Sequence, residues 1–290
     1  MTHPEQRDFL EEVDTFLDQE GLNDDTEAFA EEATKAKSED SRNEVDFKKK
    51  IIKTKPFLNE PCLAGILDEL DYSSIAQGYL DNFTGENPVS QLKFDARPFV
   101  EHPTRNAQTS SPVNGVINIT FNTDNLDRPR AEIARTFVHE IIHAELYRRL
   151  LELSNNGRLS GITTQNVTDA RDSHPLIYEY WTQYAYDRST PTIPQHELIA
   201  QHLRGSIEGA LLEFDPTLSS QMVRALAWDG LKRSFNGDKE SRINQISGLV
   251  VDPITGENES TVAWTNTPLS ERLQINQDVK TFRQNQPKCK

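Results

Sequence analysis

From Arg130 to Leu153 the chain runs without a glycine or a proline, and any fold it adopts must house the long helix that this stretch specifies. Pro129 stands at a favoured first-turn position behind Asp127, a capping residue. Ala134, Phe137, Val138 and Ile141 recur at helical spacing, so one face is built for a core. The opposite face carries His139 and His143. At about 100° per residue the two imidazoles lie roughly 40° apart, and Glu140 falls within roughly 100° of both. All three side chains can face one ligand.

Neutral imidazoles one turn apart bind Zn²⁺ well. A carboxylate beside them, outside the coordination shell, can take a proton from water that the metal has brought to a pKa of about 7. The pattern His139-Glu140-Ile141-Ile142-His143 therefore points to zinc-assisted hydrolysis of an amide bond, with a peptide or protein as substrate. In a chain with seven histidines such a pattern arises by chance about once in a hundred sequences, and its place inside a capped helix reduces that further. The bland alternative is a core helix with two incidental histidines. A catalytic zinc also needs a third protein ligand and an open position. His174, His196 and His202 compete for that role. His196 and His202 share a helical pattern that opens after Pro194, but they lie about 240° apart, so only one of them can face the metal.

Thr136, Phe137, Val138, Ile141, Ile142 and Ala144 around the motif resemble the catalytic helix of the zincin metallopeptidases, where H-E-x-x-H is flanked by uncharged residues. Glu145 stands where those peptidases usually have an apolar residue. It lies about 240° around the helix from His139, off the metal face. The resemblance implies that His139 and His143 are zinc ligands and that Glu140 is the general base. The segment Gln195 to His202 is similar to the second metal helix of SprT and Spartan-type peptidases, which implies His196 as third ligand. Glu197 replaces the glycine usual there, and zincins that draw a glutamate from a downstream helix make Glu197 an alternative, with His202 another. More than fifty residues separate His143 from His196, so this likeness covers only the two metal helices.

A broader resemblance, over most of residues 56–290, is to SprT-like metallopeptidase domains of Bacteroidetes. It rests on Ile133 to Ala144, Glu213-Phe214-Asp215, Ala227-Trp228 and a cysteine at each end, Cys62 and Cys289. Domain termini often lie close together, so these two cysteines, the only ones in the chain, are compatible with a disulfide or with two free thiols. The paired cysteines of the Bacteroidetes domains imply the disulfide.

Composition divides the chain. The first fifty residues carry 16 acidic against 7 basic side chains, and few apolar ones. Residues 1–55 therefore read as a solvated, partly helical or disordered acidic extension, and 56–290 as the metallopeptidase domain. Lys48, Lys49, Lys50, Lys53 and Lys55 read as a solvated junction. The expected fold class is α+β: a helix-rich, zincin-like domain with a small sheet packed beside the H-E-x-x-H helix. Strands are expected at 91–99 and 113–122, and the second alternates apolar and polar residues as a half-buried strand should. By resemblance its free edge would hold an extended substrate. Two short helices are expected between 62 and 83. Further helices are expected at 175–186, 194–214 and 218–235, with a polar loop at 154–168, a turn at Thr255-Gly256 and only weak patterning after 236.

The expected activity is zinc-dependent endopeptidase chemistry; the alternative is a metal-binding zincin-fold interaction or effector module without general proteolytic activity. An acidic chain with a pI near 4.9 gives no electrostatic reason to expect a nucleic-acid partner. No stretch approaches the ~18 apolar residues needed for a membrane span, and the acidic start lacks a secretory signal pattern. Oligomeric state is left open. So is the compartment: a Cys62–Cys289 disulfide would point to export into an oxidising one.

Overall fold

The computed structural model describes residues 4–84, 90–110, 112–155, 199–232 and 261–290. Among them the class is α+β, with helices around one five-stranded mixed sheet. The strands are β1 (Glu44–Asp46), β2 (Ile51–Lys53), β3 (Gln91–Arg97), β4 (Ala107–Thr109) and β5 (Val116–Asn122), in the order β1-β2-β3-β5-β4. β3 runs parallel to β2 and β5, pairing Gln91 with Val116 through Arg97 with Asn122, while β1 and β4 are antiparallel edges.

The long helix expected from the sequence is α6 (Arg130–Asn155). Its first intrahelical bonds are accepted by the Pro129 carbonyl, and Asp127, the expected cap, instead pairs with Lys288 at 2.7 Å. Phe137 drives its apolar face into the sheet. The ring lies 4.2 Å from that of Phe121 on β5 and about 6 Å from those of Phe94 on β3 and Phe57 on α3 (Lys55–Leu58). All four rings are fully buried, which makes this aromatic cluster the seam between sheet and helix. The two short helices are α4 (Pro61–Leu70) and α5 (Ser74–Leu80).

The acidic extension, expected to be solvated and partly helical or disordered, is helical and packed. Residues 4–39 form α1 (Pro4–Glu20) and α2 (Asp24–Glu39), joined through an Asn23–Thr26 capping box. Phe9, Val13 and Phe16 of α1 and Phe29, Ala30, Ala33 and Ala36 of α2 build a second small core with Ile52 of β2. Successive strand residues face opposite sides, so Ile51 joins the main core while Ile52 joins this one. The lysine run is not a solvated junction either. Lys50 is buried and pairs with Glu20 at 2.8 Å, Lys53 pairs with Asp68 at 3.2 Å, and Lys49 pairs with Asp71. Lys93 of β3 adds a bond to Glu32 at 2.7 Å. Lys50, just before β2, and Lys93 of β3 thus hold the two acidic helices.

The strand expected to offer a free edge, β5, is interior to the sheet: β4 covers it. The connection is a two-residue hairpin in which Asn114 and Gly115 both have positive φ, 49° and 73°, between mutually bonded Val113 and Val116. That is the geometry an Asn-Gly pair favours.

After α6, the described chain resumes with a π-turn at Ile199–Leu203, then α7 (Arg204–Phe214), α8 (Ser220–Asp229), α9 (Val262–Thr265) and α10 (Leu269–Asn285). The 17-residue α10 occupies a region where only weak patterning was expected. It buries Ile275, Val279 and Phe282, an i, i+4, i+7 set. The helix expected at 175–186, the turn at Thr255-Gly256 and most of the 154–168 loop lie outside the described residues. No described helix is long and apolar enough to cross a membrane.

Cys62 and Cys289 are joined in a disulfide, with Cα atoms 5.7 Å apart and a sequence separation of 227. The bond fastens a C-terminal strap: Cys289 N–H donates to the Arg128 carbonyl at 3.0 Å, Lys288 bridges to Pro129, and Lys290 reaches Glu60 at 3.0 Å. The strap thus lies against the start of α6. Replacing both cysteines by serine is expected to cost about 2–5 kcal/mol, equivalent to a fall of about 5–15 °C in Tm, readable by calorimetry.

Candidate functional site

Along α6 every residue from Ala131 to Tyr147 is buried, so the polar stripe is inside the protein as fully as the apolar one. His139, Glu140 and His143 are 5%, 7% and 6% exposed. The two Nε2 atoms stand 3.0 Å apart. Zinc–nitrogen bonds of about 2.05 Å at a tetrahedral angle hold two nitrogens about 3.3 Å apart, so a shift of a few tenths of an ångström admits the ion. Between neutral rings the same separation serves a hydrogen bond. Donor type, spacing and burial fit two of the three protein ligands of a catalytic zinc.

Glu140 reaches toward β4. Its Oε2 lies 2.7 Å from the Thr109 hydroxyl, which is also 3.0 Å from the Glu140 main-chain carbonyl oxygen. Burial raises the Glu140 carboxyl to about 7, while the Thr109 hydrogen bond and the positive charges of Arg105 and Arg135 pull the other way. A carboxyl poised there can both accept and return a proton near neutral pH.

The rest of the polar stripe is matched by charges from other helices. Glu132, fully buried, accepts from Arg283 of α10 at 2.7 Å. Asp229 at the end of α8 gathers Arg283 at 2.6 Å, Lys232 at 2.9 Å and Arg135 of α6 at 3.7 Å. A Cβ at Gly230 would stand 2.5 Å from Arg135 Nη1, so a side chain there would displace the guanidinium. Glu145, the departure from the zincin pattern, is buried and paired within its own helix to Arg148 and Arg149, each at 2.6 Å.

The third ligand is where sequence and structure meet least. His196, Glu197 and His174 lie outside the described residues. His202 lies on the π-turn, is exposed, and joins no group of three ligating side chains with His139 and His143; among the described residues there is no such group. His102 is exposed in the loop between β3 and β4. Glu213 and Trp228, two of the residues on which the resemblance to the Bacteroidetes domains rests, make structural contacts here. Glu213 caps α5 from a distance, accepting from Ser73 and Ser74 hydroxyls at 2.6 Å and from Ile75 N–H at 3.2 Å. Trp228 packs 5.2 Å from Trp264, beneath the guanidinium of Arg204. Thr109 was not among the expected site residues. Its one sequence signal is the Asn114-Gly115 pair, which announces a hairpin and hence a strand before β5.

Comparison of the chain with known protein families, curated proteins and solved structures finds no match. The functional reading therefore rests on this geometry and chemistry.

Asp229 supplies a prediction that needs no metal. Burial raises its carboxyl, but Lys232, Arg135 and Arg283 outweigh that and hold it down at about 2. A depressed folded-state pKa contributes stability that is present above the unfolded value of 3.8 and lost as pH falls toward 2. Asp229→Asn should be less stable than wild type by about 2 kcal/mol in urea unfolding at pH 6, and the gap should close between about pH 4 and pH 2.

Proposed function

We propose that this chain is a zinc-dependent endopeptidase. The observation that carries the reading is the buried imidazole pair on α6, with Nε2 atoms 3.0 Å apart, beside the buried Glu140 carboxyl. His139 and His143 would hold the metal, with His196 as expected third ligand and Glu197 as alternative. Bound there, zinc would supply Lewis acidity, polarising a carbonyl and lowering the pKa of water. Glu140 would take the proton of the attacking water and pass it to the leaving amine. The burial of the helix keeps bulk water from competing at the carboxyl.

The substrate segment would pair with β4. Asn106 C=O and Ser110 N–H bond β5, so by alternation the main-chain groups of Ala107 and Thr109 point away from it, toward the side of β4 that no described strand covers. An extended peptide can add there as a further strand. The Cys62–Cys289 disulfide supports action in an oxidising compartment.

Zinc content by mass spectrometry and peptide-library cleavage, on wild type, His196→Ala and Glu140→Gln, test the reading together. The expected result is about one zinc per chain in wild type, lost in His196→Ala, and kept in Glu140→Gln while cleavage falls by ~100-fold or more. Zinc surviving in His196→Ala moves the third ligand to Glu197. Stoichiometric zinc with no cleavage by wild type favours the interaction or effector module, and wild type without zinc overturns the proposal.

A further inference from the structure

Thr109 occupies two positions at once. Its main chain lies on the edge strand with N–H and C=O directed away from β5, and its side chain turns onto the face covered by α6. There its hydroxyl meets both the carboxylate and the main-chain carbonyl of Glu140, at 2.7 and 3.0 Å. The hydroxyl is 31 residues from Glu140 in sequence and is buried, so this is a tertiary contact and not a local turn. It fixes the carboxylate against the sheet at the point where an added strand would lie. A glutamate side chain has three rotatable bonds, and without a partner it samples rotamers that cost a base its aim.

We infer that Thr109 is the positioning residue for Glu140, linking the edge strand that would receive a substrate to the base that would activate water. The inference rests on the peptidase reading and adds a specific atom to it. The hydroxyl donates to one carboxylate oxygen and leaves the other for the proton being moved, so the two oxygens acquire different tasks. Because the same residue directs main-chain groups to the side of β4 that no described strand covers, a peptide pairing there would tighten β4 and, with it, the aim of the carboxylate. Binding and proton transfer would then be coupled through one side chain, without movement of α6.

The test compares Thr109→Val, which keeps the shape and removes the hydroxyl, Thr109→Ala as a second hydroxyl-free variant, and Thr109→Ser, which keeps the hydroxyl. All are made in the full chain and loaded with zinc. A hydrogen bond to a charged group is worth about 1.5–3 kcal/mol, so kcat on one cleaved peptide should fall about 10- to 100-fold in Thr109→Val. KM and zinc content should stay near wild type, and Thr109→Ser should recover most of the loss. The Glu140 carboxyl ¹³C resonance, assigned with Glu140→Gln, should move in the valine and alanine variants and return in the serine variant, with or without zinc. Wild-type kcat in Thr109→Val, equal losses in the valine and serine variants, or an unmoved resonance would overturn the inference. Wild type that binds zinc and cleaves nothing would overturn the peptidase reading and the kinetic role with it, while the resonance still decides whether the hydroxyl holds the carboxylate.

Discussion

A helix bearing imidazoles, carboxylates and guanidinium groups can be buried only if each charge meets a partner, because an uncompensated buried charge costs several kcal/mol. α6 is buried along its whole central span, and the remaining elements are disposed around that requirement. On one side four phenylalanines close the gap to the sheet. On the other, α8 delivers Asp229 and α10 delivers Arg283, the two groups that neutralise Arg135 and Glu132. Glu145 is settled within the helix by two arginines. What is left with ligating or proton-transferring capacity on the stripe is the pair of imidazoles and Glu140.

This arrangement explains why the C-terminal end of the chain is fastened so heavily. Arg283 can neutralise Glu132 only if α10 stays docked, and the residues after α10 bond to Arg128 and Pro129 at the start of α6. The disulfide to Cys62 on α4 makes that docking covalent across 227 residues. Releasing the strap would therefore expose a buried carboxylate as well as loosening a helix end. At the other end of the chain, α1 and α2 cover the second face of the sheet near β2 through lysine–glutamate latches. They are acidic on the outside and fixed by cations from below, a division of charge that lets a strongly negative segment fold.

That division also shows what could be read from the residues alone. The α6 helix, its apolar face, the strand at β5 and the α+β class followed from periodicity, because in those stretches local pattern and tertiary burial agree. The N-terminal hairpin was hidden by its charge: 16 acidic residues among the first fifty outweigh the seven-residue spacing of Phe9, Val13 and Phe16 that marks a buried helical face. The C-terminal helix was hidden in the same way, its Ile275, Val279 and Phe282 set among polar neighbours. β4 is only three residues long, too short for alternation to register, and the Asn114-Gly115 turn was its one legible trace. The disulfide became expected through resemblance, since two cysteines by themselves are compatible with free thiols.

The candidate site divides along the same line. His139, Glu140 and His143 are local, four residues apart on a helix, and a local motif can be read directly. Thr109 is tertiary: it reaches Glu140 only because β4 pairs antiparallel with β5 and β5 packs on Phe137, so its role depends on three contacts that no short pattern encodes. The same packing that fixes Phe137 against Phe121 sets the height of α6 over the sheet, and hence the 2.7 Å between hydroxyl and carboxylate. A core residue two places before His139 therefore bears on the Thr109–Glu140 contact without touching it. Shortening Phe137 would open a cavity at the seam and let the helix settle toward the sheet, degrading the aim of Glu140 while leaving both imidazoles on their helix.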